Sequence, residues 1–229
     1  MKICGLMKTT LLDFPGKVAC TVFLGGCNLR CPFCHNSVLA FEENGDFVSE
    51  NEFFAFLEKR KGVLDAVCVS GGEPLMHKEV FEFLKKIKNM GFLVKLDTNG
   101  CFPESLEKVL ASGSLDYVAM DIKGGLFEYG KCVGLDGFDT SKVEKSIEIL
   151  KNSDIDHEFR TTVVKGLHSK ESLEEIARII AGEKKYFLQG FNMSDGVPDK
   201  NLTEFSKDEM ENLLKAVRAY VPCAELRGI

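Results

Sequence analysis

Between Gly25 and Asn36 the chain reads GGCNLRCPFCHN, which places Cys27, Cys31 and Cys34 at the spacing C-x3-C-x2-C. Three of nine cysteines thus fall within eight residues. That spacing is too tight for ordinary disulfide bonding, and an odd cluster cannot pair internally, so a metal is the chemistry to weigh. Structural zinc calls for four closed ligands, usually as two separated pairs. Here there is no second C-x2-C, and His35 follows Cys34 so directly that both could hardly turn toward one ion. An iron–sulfur cluster on three thiolates keeps one iron open for a substrate, whereas a four-cysteine cluster can only pass electrons. The spacing favours iron–sulfur over zinc or coincidence, and Gly25 and Gly26 suit a loop that folds tightly around a cluster.

Other short stretches carry chemistry only in company. SGGEP (70–74) reads first as a strand-to-helix turn, with Pro74 keeping Glu73 out of the helical region. LDTNG (96–100) reads first as a turn, because Asn-Gly is a strong turn dipeptide. AMDIKG (119–124) reads as a strand end with a solvated ion pair; Asp121 and Lys123, two apart, share a face and can reach one ligand. GLFEYGKC (125–132) fits G-x4-G-K but ends in Cys132 where a phosphate loop needs Ser or Thr, and a glycine-rich polar stretch follows. Nucleoside triphosphate binding is therefore rejected there. The isolated Cys4, Cys20, Cys68, Cys101, Cys132 and Cys223 read as small buried hydrophobes.

Strand-like and helical patterns alternate along the chain and must position these groups. β-rich runs fall at 17–26, 65–72, 92–100, 115–125, 157–166 and 184–191. Each is followed by a helical stripe: Phe53, Phe56 and Leu57; Val80, Leu84 and Ile87; Leu106, Val109 and Leu110; Val143, Ile147 and Leu150; Leu173, Ile176 and Ile180; Met210, Leu213, Leu214 and Val217. Ser49 with Glu52 and Ser206 with Glu209 supply N-terminal caps. CAELRGI at the end suits an edge strand. Six strand–helix units imply parallel strands with right-handed crossovers, in an open sheet or a barrel. Polar clusters end the strand runs, at 27–34, 70–73, 97–99, 121–123, 160–162 and 189–192. Such ends converge on one mouth in a barrel, so a full or partial barrel is favoured.

At 229 residues, one domain over 1–229 is the default expectation. A net charge of −6 argues against a nucleic-acid partner. No apolar run approaches a membrane span, and the Met1-Lys2-Ile3 start lacks a signal-peptide pattern. Nine cysteines without such a signal suggest a reducing cytoplasm.

C-x3-C-x2-C with Phe33 before the last cysteine resembles the signature of the radical S-adenosylmethionine superfamily. TLLDFPGKVACTVFLGGCNLRCPFCHN, SGGEPL, KLDTNG and MDIKG together look like the glycyl-radical-enzyme activases, and most like anaerobic ribonucleoside-triphosphate reductase activating proteins. The resemblance implies a partial (β/α)6 barrel of the radical SAM type. It implies that Cys27, Cys31 and Cys34 hold a [4Fe–4S] cluster whose fourth iron chelates S-adenosyl-L-methionine, which is cleaved to a 5′-deoxyadenosyl radical. Gly71, Gly72 and Glu73 would meet the methionine ammonium. Lys123, Arg160, Asn99 and Asn192, beside Gln189 and Phe191, would contact the cofactor. Phe33 and His35 would face it, with Asp13 and His35 on the side of the incoming peptide. Asp97, Thr98, Met120 and Asp121 would surround a monovalent cation, whose charge would relieve two otherwise uncompensated carboxylates. The implied partners are a glycyl-radical enzyme, anaerobic ribonucleotide reductase favoured, and a flavodoxin- or ferredoxin-like electron donor. The rivals are a pyruvate formate-lyase-type activase, a radical synthase acting on a small molecule, and a structural zinc or electron-transfer module.

Overall fold

The structure, a computed structural model, describes residues 1–41 and 47–229. It divides into two compact units. The first comprises 1–28, 36–98 and 104–119, and the second 29–35, 99–103 and 120–229.

In the first unit, β1 (Ile3–Thr10) runs antiparallel to β2 (Ala19–Leu24), pairing Ile3 with Leu24 and Thr10 with Ala19. After β2 come the short helix α1 (Ser37–Phe41) and α2 (Glu50–Lys59). Ser49 and Glu52 close both halves of the expected capping box. β3 (Ala66–Gly71) pairs in parallel with β2 on one side and with β4 (Leu93–Thr98) on the other. α3 (Val80–Asn89) and α4 (Pro103–Ala111) follow β3 and β4, and β5 (Tyr117–Asp121) begins in this unit. Just before β5, Asp116 is held to Val94 through both its backbone and its carboxylate. Ala19, Cys20, Val22, Ala66, Val67, Val69, Val94 and Leu96 are fully buried, as strands covered on both faces require. Phe14, Ala19, Ala66 and Tyr117 form one core cluster.

In the second unit, the short α5 (Tyr129–Val133) and α6 (Ser141–Lys151) follow β5. β6 (Asp156–Val163), β7 (Tyr186–Gly190) and β8 (Glu225–Arg227) pair in parallel in that order. α7 (Lys170–Ile179) and α8 (Lys207–Val217) complete the alternation. α8 has the expected Ser206–Glu209 box, and α7 has an unanticipated one built from Ser169 and Ser172.

The six strand–helix units stand where the periodicity put them, and CAELRGI supplies edge strand β8. β1 carried no signal: only Ile3 and Thr10 are buried, so no alternation marks it. The G-x4-G-K stretch is not a phosphate loop, because Gly130 and Lys131 lie inside α5 and the Lys131 ammonium caps the Gly166 carbonyl. Cys20, Cys68, Cys101 and Cys132 are buried as expected, but Cys4 is half-buried and Cys223, between α8 and β8, is exposed.

Candidate cofactor site

Residues 29–35 of the cysteine loop belong to the second unit and are held there by backbone. The Arg30 amide donates to the Val133 carbonyl at 2.8 Å, where α5 ends. Gly134 caps that helix with φ +67, and a Cβ there would stand 2.2 Å from the Arg30 carbonyl oxygen. Only glycine combines that turn with that approach. On the other flank the Asp199 amide donates to Pro32 O (3.0 Å), and His35 Nε2 donates to Asn192 O (2.7 Å). The His35 ring also lies 5.5 Å from Phe191. Phe33 is buried edge-on against His168. His168 accepts from the Val164 amide at Nδ1 and so donates from Nε2 to the Lys123 carbonyl (2.9 Å). Burial holds His168 below its ordinary value, and so in its neutral form. Cys31 is buried and Cys34 half-buried, and Cys34 N–H turns back onto Cys31 O at 3.1 Å.

Asp121, at the end of β5, has both carboxylate oxygens engaged. Arg160 Nε of β6 donates to one at 2.8 Å and Lys123 Nζ to the other at 3.0 Å. Burial alone would raise the Asp121 carboxyl, but the charge of Arg160 and then Lys123 overcomes it and holds the group far below the carboxylate range. Burial likewise opposes the charge on Lys123, while Asp121, Cys31, then Cys34 drive its pKa above the ordinary lysine value. An ammonium within electrostatic reach of Cys31 and Cys34 is an environment suited to metal-binding thiolates. Asn99 is buried and caps its own turn, its Oδ1 accepting from the Cys101 amide at 3.0 Å. The Met120 side chain packs against Gly100 of the same turn. Asn192 is exposed.

In the first unit, Gly71 and Gly72 lie directly on the chain that leads into Cys27. A Cβ on Gly72 would stand 1.8 Å from the Gly26 carbonyl oxygen, and the Glu73 amide donates to that same oxygen at 2.9 Å. Gly72 therefore admits Gly26, and Gly71, where a Cβ would stand 2.3 Å from the Leu24 carbonyl oxygen, admits the end of β2, a reason the sequence did not suggest. Glu73 is fully buried; its Oε1 accepts from the Leu75 amide (3.0 Å) and the Thr98 hydroxyl (2.9 Å). Its carboxylate thus caps the turn at Pro74 and orients the end of β4. Asp97 pairs with Lys95, two residues earlier on the same strand. The Thr21 hydroxyl donates to Asp13, and Thr10 Oγ1 accepts from the Leu12 (3.2 Å) and Asp13 (3.4 Å) amides. The His77 ring donates to Gly25 O at 2.7 Å.

The charge argument for a monovalent cation does not survive, because neither Asp97 nor Asp121 is uncompensated. Arg160 is committed to a salt bridge with Asp121. Gly134, His168, Lys95 and the 193–199 segment escaped the sequence. Of these, only Lys95 left a trace: a cation set between the apolar Val94 and Leu96. No disulfide joins any of the nine cysteines. Among the described residues, no three His, Cys, Asp or Glu side chains gather as the ligand set of one ion. The thiols and the clamped loop fit an iron–sulfur cluster, whose ligands are thiolates on separate irons. No helix among the described residues is long and apolar enough to cross a membrane.

Comparison with known proteins agrees with this chemistry. The profile of the radical SAM superfamily matches residues 21–180. A Methanocaldococcus jannaschii protein that carries the name of a glycyl-radical enzyme activating enzyme is 32% identical, across 99% of this chain and 96% of its own. The pyruvate formate-lyase-activating enzyme of Clostridium pasteurianum is 31% identical over 78% of this chain and 76% of its own. Among solved structures, Streptococcus suis SuiB bound to S-adenosylmethionine superposes with TM-score 0.70 at 15% identity, covering 89% of this chain and 48% of that one. That likeness shows the fold: an α/β architecture on a parallel sheet, of the partial-barrel radical SAM type.

Proposed function

The chain belongs to the radical SAM superfamily, whose members use a [4Fe–4S] cluster and S-adenosylmethionine, and from that premise we propose that it is an activating enzyme that creates a glycyl radical on a partner protein. The observation that carries this reading is the match to the M. jannaschii relative along nearly the whole of both chains. When bound, the cluster and S-adenosylmethionine supply reductive cleavage of a sulfonium and, through it, hydrogen-atom abstraction.

Cys27, Cys31 and Cys34 hold the cluster in this reading. Lys123 and Arg160 present cationic donors to the cofactor carboxylate and hydroxyls, with Asp121 keeping both side chains oriented. Gly71 and Gly72 hold the strand end against Leu24 and Gly26, so that backbone acceptors there meet the cofactor ammonium. Asn99 fixes the turn after β4, and Asn192, beside Phe191, meets the adenosine portion. Phe33 packs under the loop. His35 is exposed and Asp13 half-buried, and both face the incoming peptide. A glycine is a suitable hydrogen donor because its radical is delocalised over the flanking amides. The partner that fits best is anaerobic ribonucleoside-triphosphate reductase, with a flavodoxin- or ferredoxin-like protein as electron donor, all in the cytoplasm.

The C. pasteurianum relative favours pyruvate formate-lyase as a second candidate partner. The test is to mix anaerobically reconstituted, reduced enzyme with each candidate, its glycine deuterated at Cα. The expected result is a glycyl doublet by electron paramagnetic resonance on anaerobic ribonucleotide reductase, with deuterium in the released 5′-deoxyadenosine. A doublet on pyruvate formate-lyase alone reassigns the partner. No doublet on either, with label arriving only from a small molecule, removes the activase reading.

A further inference from the structure

Lys95 is the least expected charge in the molecule. It lies in the middle of β4, between Val94 and Leu96, both fully buried, and is itself only 2% exposed. An ammonium so placed is costly unless a counter-charge meets it. Asp97 supplies that charge. Positions 95 and 97 of a strand share a face, and the Lys95 ammonium is hydrogen-bonded to Asp97 Oδ1. The same ammonium stands 3.7 Å from Cys68 Sγ on β3. Lys95 therefore reaches Asp97 from the buried side, while the carboxylate keeps 17% of its surface exposed.

A mobile monovalent ion bound by a carboxylate does two things: it cancels the charge and fixes the oxygens. An ammonium is a hard cation of similar size with directional donors, and it does both. It is also tethered, so it costs no binding entropy and does not depend on salt. We infer that Lys95 is the built-in counter-cation of Asp97, taking the place that a bound sodium or potassium ion would otherwise fill. The inference uses the proposed activity only in taking Asp97 to lie on the cofactor side. Its test reads stability, so it can fail while the activase assignment stands.

The test compares thermal unfolding of the anaerobically reconstituted protein in potassium, sodium and choline chlorides at equal ionic strength. Wild type is expected to unfold at one midpoint in all three. Lys95→Met should fall by roughly 10 °C, as loss of one partner of a buried pair implies, and should recover in potassium or sodium but not in choline. S-adenosylmethionine affinity should follow the same pattern, independent of the ion in wild type and potassium- or sodium-dependent in the variant. A wild type that gains stability from potassium or sodium over choline overturns the inference, and so does a Lys95→Met protein indifferent to the ion. If Lys95→Met does not fold, Lys95→Met/Asp97→Asn decides. Recovery of a folded, ion-indifferent protein supports the pairing, and a double variant that still fails to fold refutes it.

Discussion

The two units use their polar groups in opposite ways. In the first, the side chains near the strand ends are spent on the protein itself. Glu73, fully buried, ties the Leu75 amide to the Thr98 hydroxyl; His77 ties down Gly25; and the buried Lys95 is paired with Asp97. In the second, the charged cluster stays partly open. Asp121, Lys123 and Arg160 keep 27%, 18% and 13% of their side-chain surface, and His35 is exposed. A closed network specifies geometry, whereas an open one can exchange partners with a ligand. Substitutions in the closed network around Glu73 should therefore be read out as folding, and those in the open charged cluster as binding.

The sharpest challenge is at Glu73. Glu73→Ala leaves a buried amide and hydroxyl without their acceptor and should cost about 2–4 kcal/mol in urea unfolding, with Glu73→Gln recovering part of it. A protein of normal stability that had merely lost cofactor affinity would mean that the first unit is as open as the second.

Gly134→Ala tests the clamp on the cysteine loop. A side chain at φ +67, against the Arg30 carbonyl, should cost about 1–3 kcal/mol and lower iron content after reconstitution. Full iron loading at unchanged stability would show that the clamp does not position the loop.

Lys123→Met should show the reverse balance. Arg160 still pairs with Asp121, so unfolding should shift by about 1 kcal/mol or less. S-adenosylmethionine binding, followed by isothermal titration, should weaken about tenfold, or ~1.4 kcal/mol. Equal losses in folding and binding would erase the contrast between the units.

The smallest effect concerns pH. Burial holds His168 below its ordinary value, so its neutral form is favoured in the fold. Its contribution to stability is complete above the unfolded pKa of about 6.5 and declines as pH falls toward the folded value, by at most ~1.4 kcal/mol per pH unit. His168→Gln should flatten that part of the acid limb. Asp121, held far below the carboxylate range by Arg160 and Lys123, contributes stability above about pH 3.9 and loses it only in stronger acid. The mild-acid slope should therefore remain in Asp121→Asn and disappear in His168→Gln.

Patterns a few residues long were readable in the chain itself. The spacing of Cys27, Cys31 and Cys34 states a three-thiolate site. The period switching from 2 to 3.6 states six strand–helix units, and Ser49 with Glu52 states where α2 begins. Each is a local matter: neighbouring residues, one helical turn, one alternation. What escaped had no local signature. β1 is half exposed and shows no alternation. Arg160 and Asp121 are 39 residues apart, and the partner of Asn192 is His35, 157 residues away. Gly134 reads as an ordinary helix cap until the Arg30 carbonyl is found against it. Gly72 looks like a ligand-binding glycine until Gly26 takes the space.

The sequence by itself determined which residues could do chemistry, because ligand type, charge and periodicity are properties of side chains and their nearest neighbours. Only the tertiary structure decided how those charges are spent. Strand pairing chooses which distant group meets a carboxylate, and burial decides whether the resulting network is closed, as at Glu73, or left partly open, as at Asp121.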